Sequence, residues 1–213
     1  MIKYWNNYAT INSNLGGNEI MSKYQDPAVK VTCPDEALKL LKEGNERFIT
    51  NNLVAPNYKE MLDKTGTQQS PFASILACAD SRCPPEIFFD QGIGNIFVVR
   101  NAGNTADREA IGSFQFAAAV LKSQIIVVVG HTECGAVFNA HAGASGLPSE
   151  LQGMLDDISA IVKDADTKEN AVCVNTKAQV EKLRNDPAIK ATGVPVYGAD
   201  YNVATGVVTW LDI

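Results

Sequence analysis

Short apolar runs alternate with amphipathic segments along most of the chain. Three runs have the length of buried strands, at positions 72–77, 96–99 and 125–129. The last consists of five β-branched residues, which indicates a central parallel strand covered on both faces, because a strand with one wet face would alternate. Apolar residues recur at helical spacing over 37–48, 111–121, 151–161 and 180–183. The pattern predicts a single α/β domain with a mostly parallel central β-sheet flanked by helices.

The two ends of the chain carry weaker signals. Residues 1–30 show no sustained period, so we expect an N-terminal tail or helical arm there and a folded domain over 31–213. Thr32 followed by Asp35 resembles an N-terminal capping signature for the first helix. Near the other end, 194–197 and 207–210 predict a terminal strand pair, or one strand with a short hairpin extension.

Charge and hydropathy narrow the possible partners. Eighteen Lys and Arg against 24 Asp and Glu give a net charge of −6, which is the wrong sign for a protein that tracks nucleic-acid phosphates. No apolar run approaches the ~20 residues that a membrane span needs. The first residues lack the basic start and apolar stretch of a secretory signal, so the expected compartment is the cytoplasm, with an organelle left open.

Five cysteines at irregular spacing do not form the framework of a disulfide-stapled secreted domain. Cys33 and Cys173 fall in helix-like segments without a recognisable cluster of polar residues around them, and we expect both to be buried as small hydrophobic residues. The other three, Cys78, Cys83 and Cys134, lie in or beside unusual local sequences. Only these three need a chemical explanation.

Potential metal ligands follow two of the predicted strands. Cys78 ends the first apolar run, and His131 and Cys134 follow the third. Ligands in open parallel sheets bind beyond the carboxyl ends of strands, where these residues can meet. Two thiolates and one imidazole suit zinc, and three protein ligands leave a fourth position open, as in catalytic sites. His141 is the other histidine and is a possible fourth ligand.

A simpler interpretation needs no metal. Free cysteines are commonly buried, and a histidine at the end of a strand is often only hydrogen-bonded. Asp80 and Arg82 would then form a loop salt bridge where the chain leaves a buried strand, since an unpaired charge there would be costly. The surrounding motifs weigh against this interpretation.

Three segments together resemble the signatures of the β-class carbonic anhydrases. They are Cys-Ala-Asp-Ser-Arg at 78–82, Phe-Val-Val-Arg-Asn-Ala-Gly-Asn at 97–104 and Gly-His-Thr-Glu-Cys-Gly at 130–135. The likeness extends from near residue 35 to the C-terminus, which makes 31–213 the expected catalytic domain. It implies reversible hydration of carbon dioxide to bicarbonate and a proton, one zinc ion per chain, and a homodimer or higher homo-oligomer. No nucleic-acid or membrane partner is expected.

The resemblance also implies roles for individual residues. Cys78, His131 and Cys134 would bind zinc, with water or hydroxide in the fourth position. Asp80 and Arg82 match the family's catalytic dyad, in which the arginine holds the carboxylate and the carboxylate accepts a hydrogen bond from that water or hydroxide. In some members the same aspartate moves onto the metal, so Asp80 is also a candidate fourth ligand.

The substrate pocket resembles the plant-type branch of the family. Gln69 matches a glutamine that lines the pocket across a dimer interface, Phe97 matches a pocket phenylalanine, and the backbone N–H of Gly135 is expected to meet a substrate oxygen. Phe116 falls where many plant-type members have tyrosine, which removes a hydroxyl group. Cys83 stands where valine is commoner and places an extra thiol near the metal.

Three other functions are compatible with parts of this pattern. The same zinc site could hydrolyse carbonyl sulfide or carbon disulfide, as relatives of this fold do. A permanently closed zinc site would serve assembly or regulation, although the intact dyad weighs against it. Nucleophilic catalysis by a Cys-His pair would leave the dyad and the second thiol without a role. The sequence identifies no proton-relay residue.

Overall fold

The structure is a computed structural model and describes residues 30–213. Within this range it contains a five-stranded sheet, eight α-helices and a short 3₁₀ turn at Ala102–Asn104. The strands are β1 (Ala73–Cys78), β2 (Ile96–Asn101), β3 (Ile125–His131), β4 (Val196–Tyr201) and β5 (Val208–Trp210). The helices are α1 (Pro34–Ile49), α2 (Tyr58–Thr65), α3 (Pro85–Phe88), α4 (Arg108–Ala119), α5 (Gly135–His141), α6 (Ser149–Val162), α7 (Lys168–Asn185) and α8 (Pro187–Thr192).

The sheet has the strand order β2-β1-β3-β4-β5. The first four strands in this order pair in parallel, and β5 pairs with β4 in the antiparallel direction. The predicted α/β class and the mostly parallel sheet are therefore confirmed. Because β1 and β3 are parallel neighbours, Ala77 lies opposite Val129 and the carboxyl ends of both strands reach the same edge.

Two apolar layers cover the sheet. Every residue of β1 and β3 is buried, which confirms that the β-branched run is a central strand. Ile75 and Val127 face the layer that contains α1 and α3, whereas Leu76 and Val128 face the layer that contains α4 and α7. Side chains alternate between the two faces along each strand, so residues on either face can be assigned from the register.

Strand β2 differs from its prediction as a buried strand. It lies at the edge of the sheet, and five of its six residues are half-buried while Arg100 is exposed. Its apolar run is as uniform as that of β1, so its position in the sheet could not be read from hydropathy. Among the described residues no strand lies beyond β2, so its outer edge could pair with another strand.

The beginning of α1 is stabilised differently from the capping prediction, which is wrong. The helix starts at Pro34, and Cys33 occupies the cap position without a side-chain hydrogen bond. Proline is well tolerated in the first turn of a helix, because an N–H at that position would have no partner within the helix. The negative charges of Asp35 and Glu36 interact favourably with the positive end of the helix dipole. The predicted terminal strand pair is confirmed, with its first strand shifted to Val196–Tyr201.

Two cysteines are more exposed than expected. Cys33 is exposed at the start of α1, and Cys173 is half-buried on α7. The buried positions of α7 include Val172 and Thr176, and residue 173 lies at the flank of that face.

The predicted tail or helical arm over 1–30 lies almost entirely outside the described residues and stays a prediction. In the described part, no helix is long and apolar enough to cross a membrane.

A substitution at Gly44 tests how closely α1 approaches the segment after α3. A Cβ atom at this position would overlap the backbone oxygen of Phe89, which cannot yield as a flexible side chain would. We expect Gly44→Ala to lower the free energy of unfolding by about 1–3 kcal/mol, measured by urea denaturation.

Gly153 is the matched control, because it lies inside α6 with no atom near its added Cβ. Gly153→Ala should raise the free energy of unfolding by about 0.5–1 kcal/mol, as alanine favours helices. Equal effects of the two substitutions would contradict the described packing of α1.

Candidate metal centre

Three potential metal ligands meet at the carboxyl edge of the sheet. Cys78 is the last residue of β1, His131 is the last residue of β3, and Cys134 precedes α5. One ligand atom from each lies within 4.8 Å of the other two, and all three residues are buried. The structure therefore brings together the two sulfurs and the imidazole that the sequence predicted at this edge.

The His131 ring is oriented as a metal-binding ring would be. Its Nδ1 atom lies 2.8 Å from the backbone oxygen of Thr132, so Nδ1 carries the proton and donates it. The other ring nitrogen, Nε2, is buried and has no hydrogen-bond partner among the described residues, and it is the atom left to bind a metal when the ring is neutral. An unsatisfied buried nitrogen is costly, and a metal ion at the centre of the three ligands would satisfy it.

The surroundings of the two sulfurs favour negative charge on Cys78. A hydrogen bond from the Cys134 thiol lowers the pKa of Cys78 to about 4, although burial opposes the charged form. The same hydrogen bond, together with burial, raises the pKa of Cys134. Backbone N–H groups at the start of α5, from Val137 and Ala136, act in the opposite direction on Cys134. The contact between the two sulfurs thus favours the thiolate at Cys78 and the thiol at Cys134.

His131 responds to the same sulfurs. Burial lowers the pKa of His131, but nearby Cys78 and Cys83 outweigh burial and raise it to about 10. The sulfurs thus favour the protonated ring, and a proton on Nε2 would have to leave before that nitrogen could bind a metal. Metal binding replaces such protons by a cation, because the ligands must be thiolates and a neutral imidazole. The three side chains fit a divalent cation with sulfur and nitrogen ligands.

Asp80 and Arg82 form a two-pronged ion pair beside these ligands. Nε of Arg82 donates to Oδ1 of Asp80 at 2.9 Å, and Nη2 donates to Oδ2 at 2.7 Å. The hydrogen bonds from Arg82 outweigh partial burial and hold the pKa of Asp80 well below its usual range, while the same contact raises the pKa of Arg82. The carboxylate is therefore ionised and fixed in direction.

Arg82 also connects the two loops that carry the ligands. Its Nη2 atom donates to the backbone oxygen of Glu133 at 3.2 Å, between His131 and Cys134. Glu133 has a positive φ of 58°, a backbone conformation that residues other than glycine adopt only at an energetic cost. The guanidinium group thus holds Asp80 on one side and the His-x-x-Cys turn on the other.

Arg100 is a supporting residue to which the sequence pointed only as part of a motif. Its Nε donates to the Cys78 backbone oxygen at 2.9 Å, and its Nη2 donates to the Asp80 backbone oxygen at 2.6 Å. Arg100 therefore fixes the chain between the metal ligand and the dyad. The available signal was a lone charge near the end of an apolar strand.

The remaining predicted residues lie around or away from this cluster. His141 is outside it, because its Nε2 contacts the backbone oxygen of Ala165 at 2.9 Å. Gln69 is exposed in the segment before β1, and Gly135 is the first residue of α5. The rings of Phe97 and Phe116 lie 6.5 Å apart. Their substrate-binding roles stay predictions, as does metal ligation by Asp80.

Taken together, the sheet and the site define an α/β protein with a Cys-His-Cys metal centre at the carboxyl edge of parallel strands. A carbonic anhydrase family profile matches residues 73–208, which include strands β1 to β4, the first residue of β5 and every ligand of this centre. The chain belongs to the carbonic anhydrase family, and the solved structures that it resembles are of the β class.

The most similar relatives include carbonic anhydrases of mycobacteria. Carbonic anhydrase 2 of Mycobacterium tuberculosis is 47% identical over 108 residues, which are 50% of this chain and 52% of that protein. A carbonic anhydrase of Mycolicibacterium smegmatis is 46% identical over 105 residues, or 49% and 51% of the two chains. The matched part of the chain thus spans about half the length of each of these relatives.

Solved structures resemble this chain over a longer range. The β-carbonic anhydrase CafA of Aspergillus fumigatus superposes with a TM-score of 0.65 at 26% identity, covering 84% of this chain and 90% of that one. A structure from work on two tetrameric β-carbonic anhydrases of Sordaria macrospora gives a TM-score of 0.66 at 23% identity and covers 84% and 96%. The plant-type branch is not distinguished by these comparisons.

Removal of a ligand should abolish stable metal binding. We expect the wild type to hold one divalent metal ion per chain after dialysis against a weak chelator. Cys134→Ser and His131→Ala should each weaken binding by more than the ~10–100-fold that loss of an outer-shell partner costs. Elemental analysis of the dialysed proteins measures this.

Cys173→Ser provides the control, since this half-buried thiol lies outside the cluster. It should retain the wild-type metal content. Full occupancy in both ligand variants would show that the three residues do not form a metal site.

Proposed function

We propose that this protein is a zinc-dependent carbonic anhydrase that catalyses the reversible hydration of carbon dioxide to bicarbonate and a proton. The observation that carries the proposal is the buried Cys78, His131 and Cys134 cluster with Asp80 held by Arg82 beside it. Membership of the family supports the same activity. Asp80 and Arg82 are the proposed catalytic residues.

Zinc is the metal that best suits these ligands. It accepts thiolate and imidazole ligands in a tetrahedral arrangement, and three protein ligands leave one position for water. Among the described residues, the cluster contains no fourth His, Cys, Asp or Glu. Bound zinc would supply a nucleophile at neutral pH by lowering the pKa of water in that position to ~7. One zinc ion per chain is expected.

Asp80 would orient the reacting oxygen. An ionised carboxylate accepts hydrogen bonds and donates none, so it can fix the direction of a hydroxyl group presented to it. Both carboxylate oxygens are bonded to Arg82 in this structure, and movement of Asp80 onto the metal would break those bonds. We therefore propose the open arrangement as the catalytic state and ligation by Asp80 as a resting alternative.

The proposed pocket for the substrate is mainly apolar. Phe97 and Phe116 would form a wall suited to carbon dioxide, which has no net dipole, and Phe116 brings no hydroxyl group to it. The backbone N–H of Gly135 has no helical acceptor, because Gly135 begins α5, and it could donate to a substrate oxygen. Gln69 is exposed, and we propose that it completes the pocket of a neighbouring copy.

Two surfaces support assembly into a homodimer or a higher homo-oligomer. Among the described strands, β2 forms one edge of the sheet, where its backbone groups could pair with another strand. Phe116 on α4 is 44% exposed and Val120, the residue that follows α4, is 62% exposed, which is unfavourable for apolar side chains in water. Cys78 and Cys134 must also stay reduced to bind zinc, which suits the cytoplasm or a similarly reducing compartment.

The activity is tested by stopped-flow hydration of carbon dioxide with zinc quantified in every sample. Asp80→Asn keeps the size of the side chain but removes its charge. We expect it to retain zinc and to lose on the order of 10²-fold or more in kcat, as enzymes do when a preorganised hydrogen-bonding group is removed.

The alternatives give different results in the same assay. A zinc-loaded wild type that turns over carbonyl sulfide or carbon disulfide but not carbon dioxide would make it a hydrolase of those substrates. Inactivity on all three would indicate a closed structural site, and activity without metal would favour a Cys-His nucleophile. Equal activity of Asp80→Asn and the wild type would remove Asp80 from the mechanism.

Assembly through β2 and α4 is tested by sedimentation velocity at micromolar concentration. The wild type should sediment as a dimer or larger species. Val120→Lys should shift the population towards monomer, because it places a charge in the proposed interface.

Val207→Lys is the control, since Val207 is 39% exposed next to β5 at the opposite edge of the sheet. It should leave the sedimentation unchanged. A monomeric wild type with full activity would contradict both the interface and the sharing of Gln69.

A further inference from the structure

A chain of buried amide groups connects α7 to the metal centre. Asn175 is fully buried, and Gln179 is 2% exposed. Nε2 of Gln179 donates to Oδ1 of Asn175 at 3.0 Å, and Nδ2 of Asn175 donates to the backbone oxygen of Gly103 at 2.9 Å. The backbone N–H of Gly103 in turn donates to the sulfur of Cys78 at 3.4 Å. We call Asn175 and Gln179 the amide relay.

The contact between Ala106 and Gln179, at the end of the relay away from Cys78, fixes the direction of every hydrogen bond in it. The backbone N–H of Ala106 donates to Oε1 of Gln179 at 2.9 Å. Because a backbone N–H can only donate, this contact fixes which end of the Gln179 amide faces it. The remaining NH₂ group must donate to Asn175, whose own NH₂ group then faces Gly103. Neither side-chain amide can flip without leaving a buried group unsatisfied.

Gly103 is confined from three sides. Its φ of 75° lies in the left-handed region that favours glycine, and an added Cβ would lie 2.6 Å from Cδ1 of Ile158. Asn175 holds its carbonyl oxygen, and Cys78 accepts its N–H. A shift of this residue would therefore alter the N–H···S contact to Cys78.

We propose that Asn175 and Gln179 are positioning residues of the metal centre, which hold Gly103 so that its N–H bonds to the Cys78 sulfur. The inference rests on the zinc site of the proposed function. A hydrogen bond to a metal-bound thiolate withdraws electron density from sulfur and fixes the direction of its lone pairs, and outer-shell contacts of this kind tune affinity and acidity at the metal. Arg100 performs the corresponding task on the Cys78 backbone oxygen.

A purely structural role would also explain buried amides, so the test needs a matched control. Asn45 on α1 is such a residue, because its side chain bonds three backbone groups on the other face of the sheet. Its Nδ2 donates to the backbone oxygens of Phe88 and Gly206, and its Oδ1 accepts from the N–H of Val208. None of these groups belongs to a metal ligand.

The experiment compares Asn175→Leu, Gln179→Met and Asn45→Leu with the wild type. Zinc affinity is measured by competition with a chromogenic chelator, and the sulfur-to-metal charge-transfer bands are recorded in the cobalt(II) proteins. We expect the two relay variants to lose about 10–100-fold in zinc affinity. Their charge-transfer bands should move to lower energy, because sulfur without its hydrogen bond is easier to oxidise. Asn45→Leu should lose stability without either change.

The possible failures are distinguishable. Folded relay variants with wild-type affinity and spectra would overturn the positioning role. A wild type that binds no zinc would instead overturn the proposed function, and zinc binding without activity would leave the relay test valid. If neither relay variant folds, NMR of the cadmium-loaded wild type decides, because a Gly103 amide bonded to Cys78 shows scalar coupling to the metal through the sulfur. Absence of that coupling would refute the proposal.

Discussion

The parallel pairing of β1 with β3 is the interaction on which the rest of the structure depends. Both strands are buried throughout, so their backbone groups must bond each other and their side chains must be apolar on both faces. Because the strands run in the same direction, Cys78 and His131 emerge at one edge, where Cys134 joins them after a single turn. Arg82, Arg100 and the N-terminus of α5 act on a geometry that this pairing has already set.

The site combines a dry interior with charges that compensate one another. Burial alone would suppress charge on both the sulfurs and the imidazole, yet hydrogen bonds and mutual attraction lower the pKa of Cys78 and raise the pKa of His131. Asp80, closer to solvent, is compensated separately by Arg82. A divalent cation would therefore enter a site whose surroundings favour a thiolate, with one carboxylate held beside it by Arg82.

The sequence predicted what depends on local pattern, including the central strand β3, the α6 helix, and the meeting of Cys78, His131 and Cys134. Apart from that meeting of ligands at the sheet edge, it did not predict what depends on strand order or on contacts between distant segments. The run in β2 reads like that of β1, but only its place at the edge makes it half-buried. Asn175 and Gln179 look like the polar face of a helix, although they are buried because the 3₁₀ turn after β2 and the loop that follows it supply their partners. Short helices such as α2 and α3 have too few turns to show a period.

The two edges of the sheet are unequal, and this limits how copies of the chain could polymerise. Strand β2 offers six residues at its open edge, whereas β5 at the other edge has only three and runs against its neighbour. Addition of strands through alternating edges would need two comparable surfaces, and a short edge strand is a poor template for pairing. In the sheet formed by the described residues, copies of the chain could therefore pair through β2 only. Such pairing ends at a dimer, because the two β2 edges meet about a twofold axis. The asymmetry of a single sheet thereby favours a finite particle over a fibre.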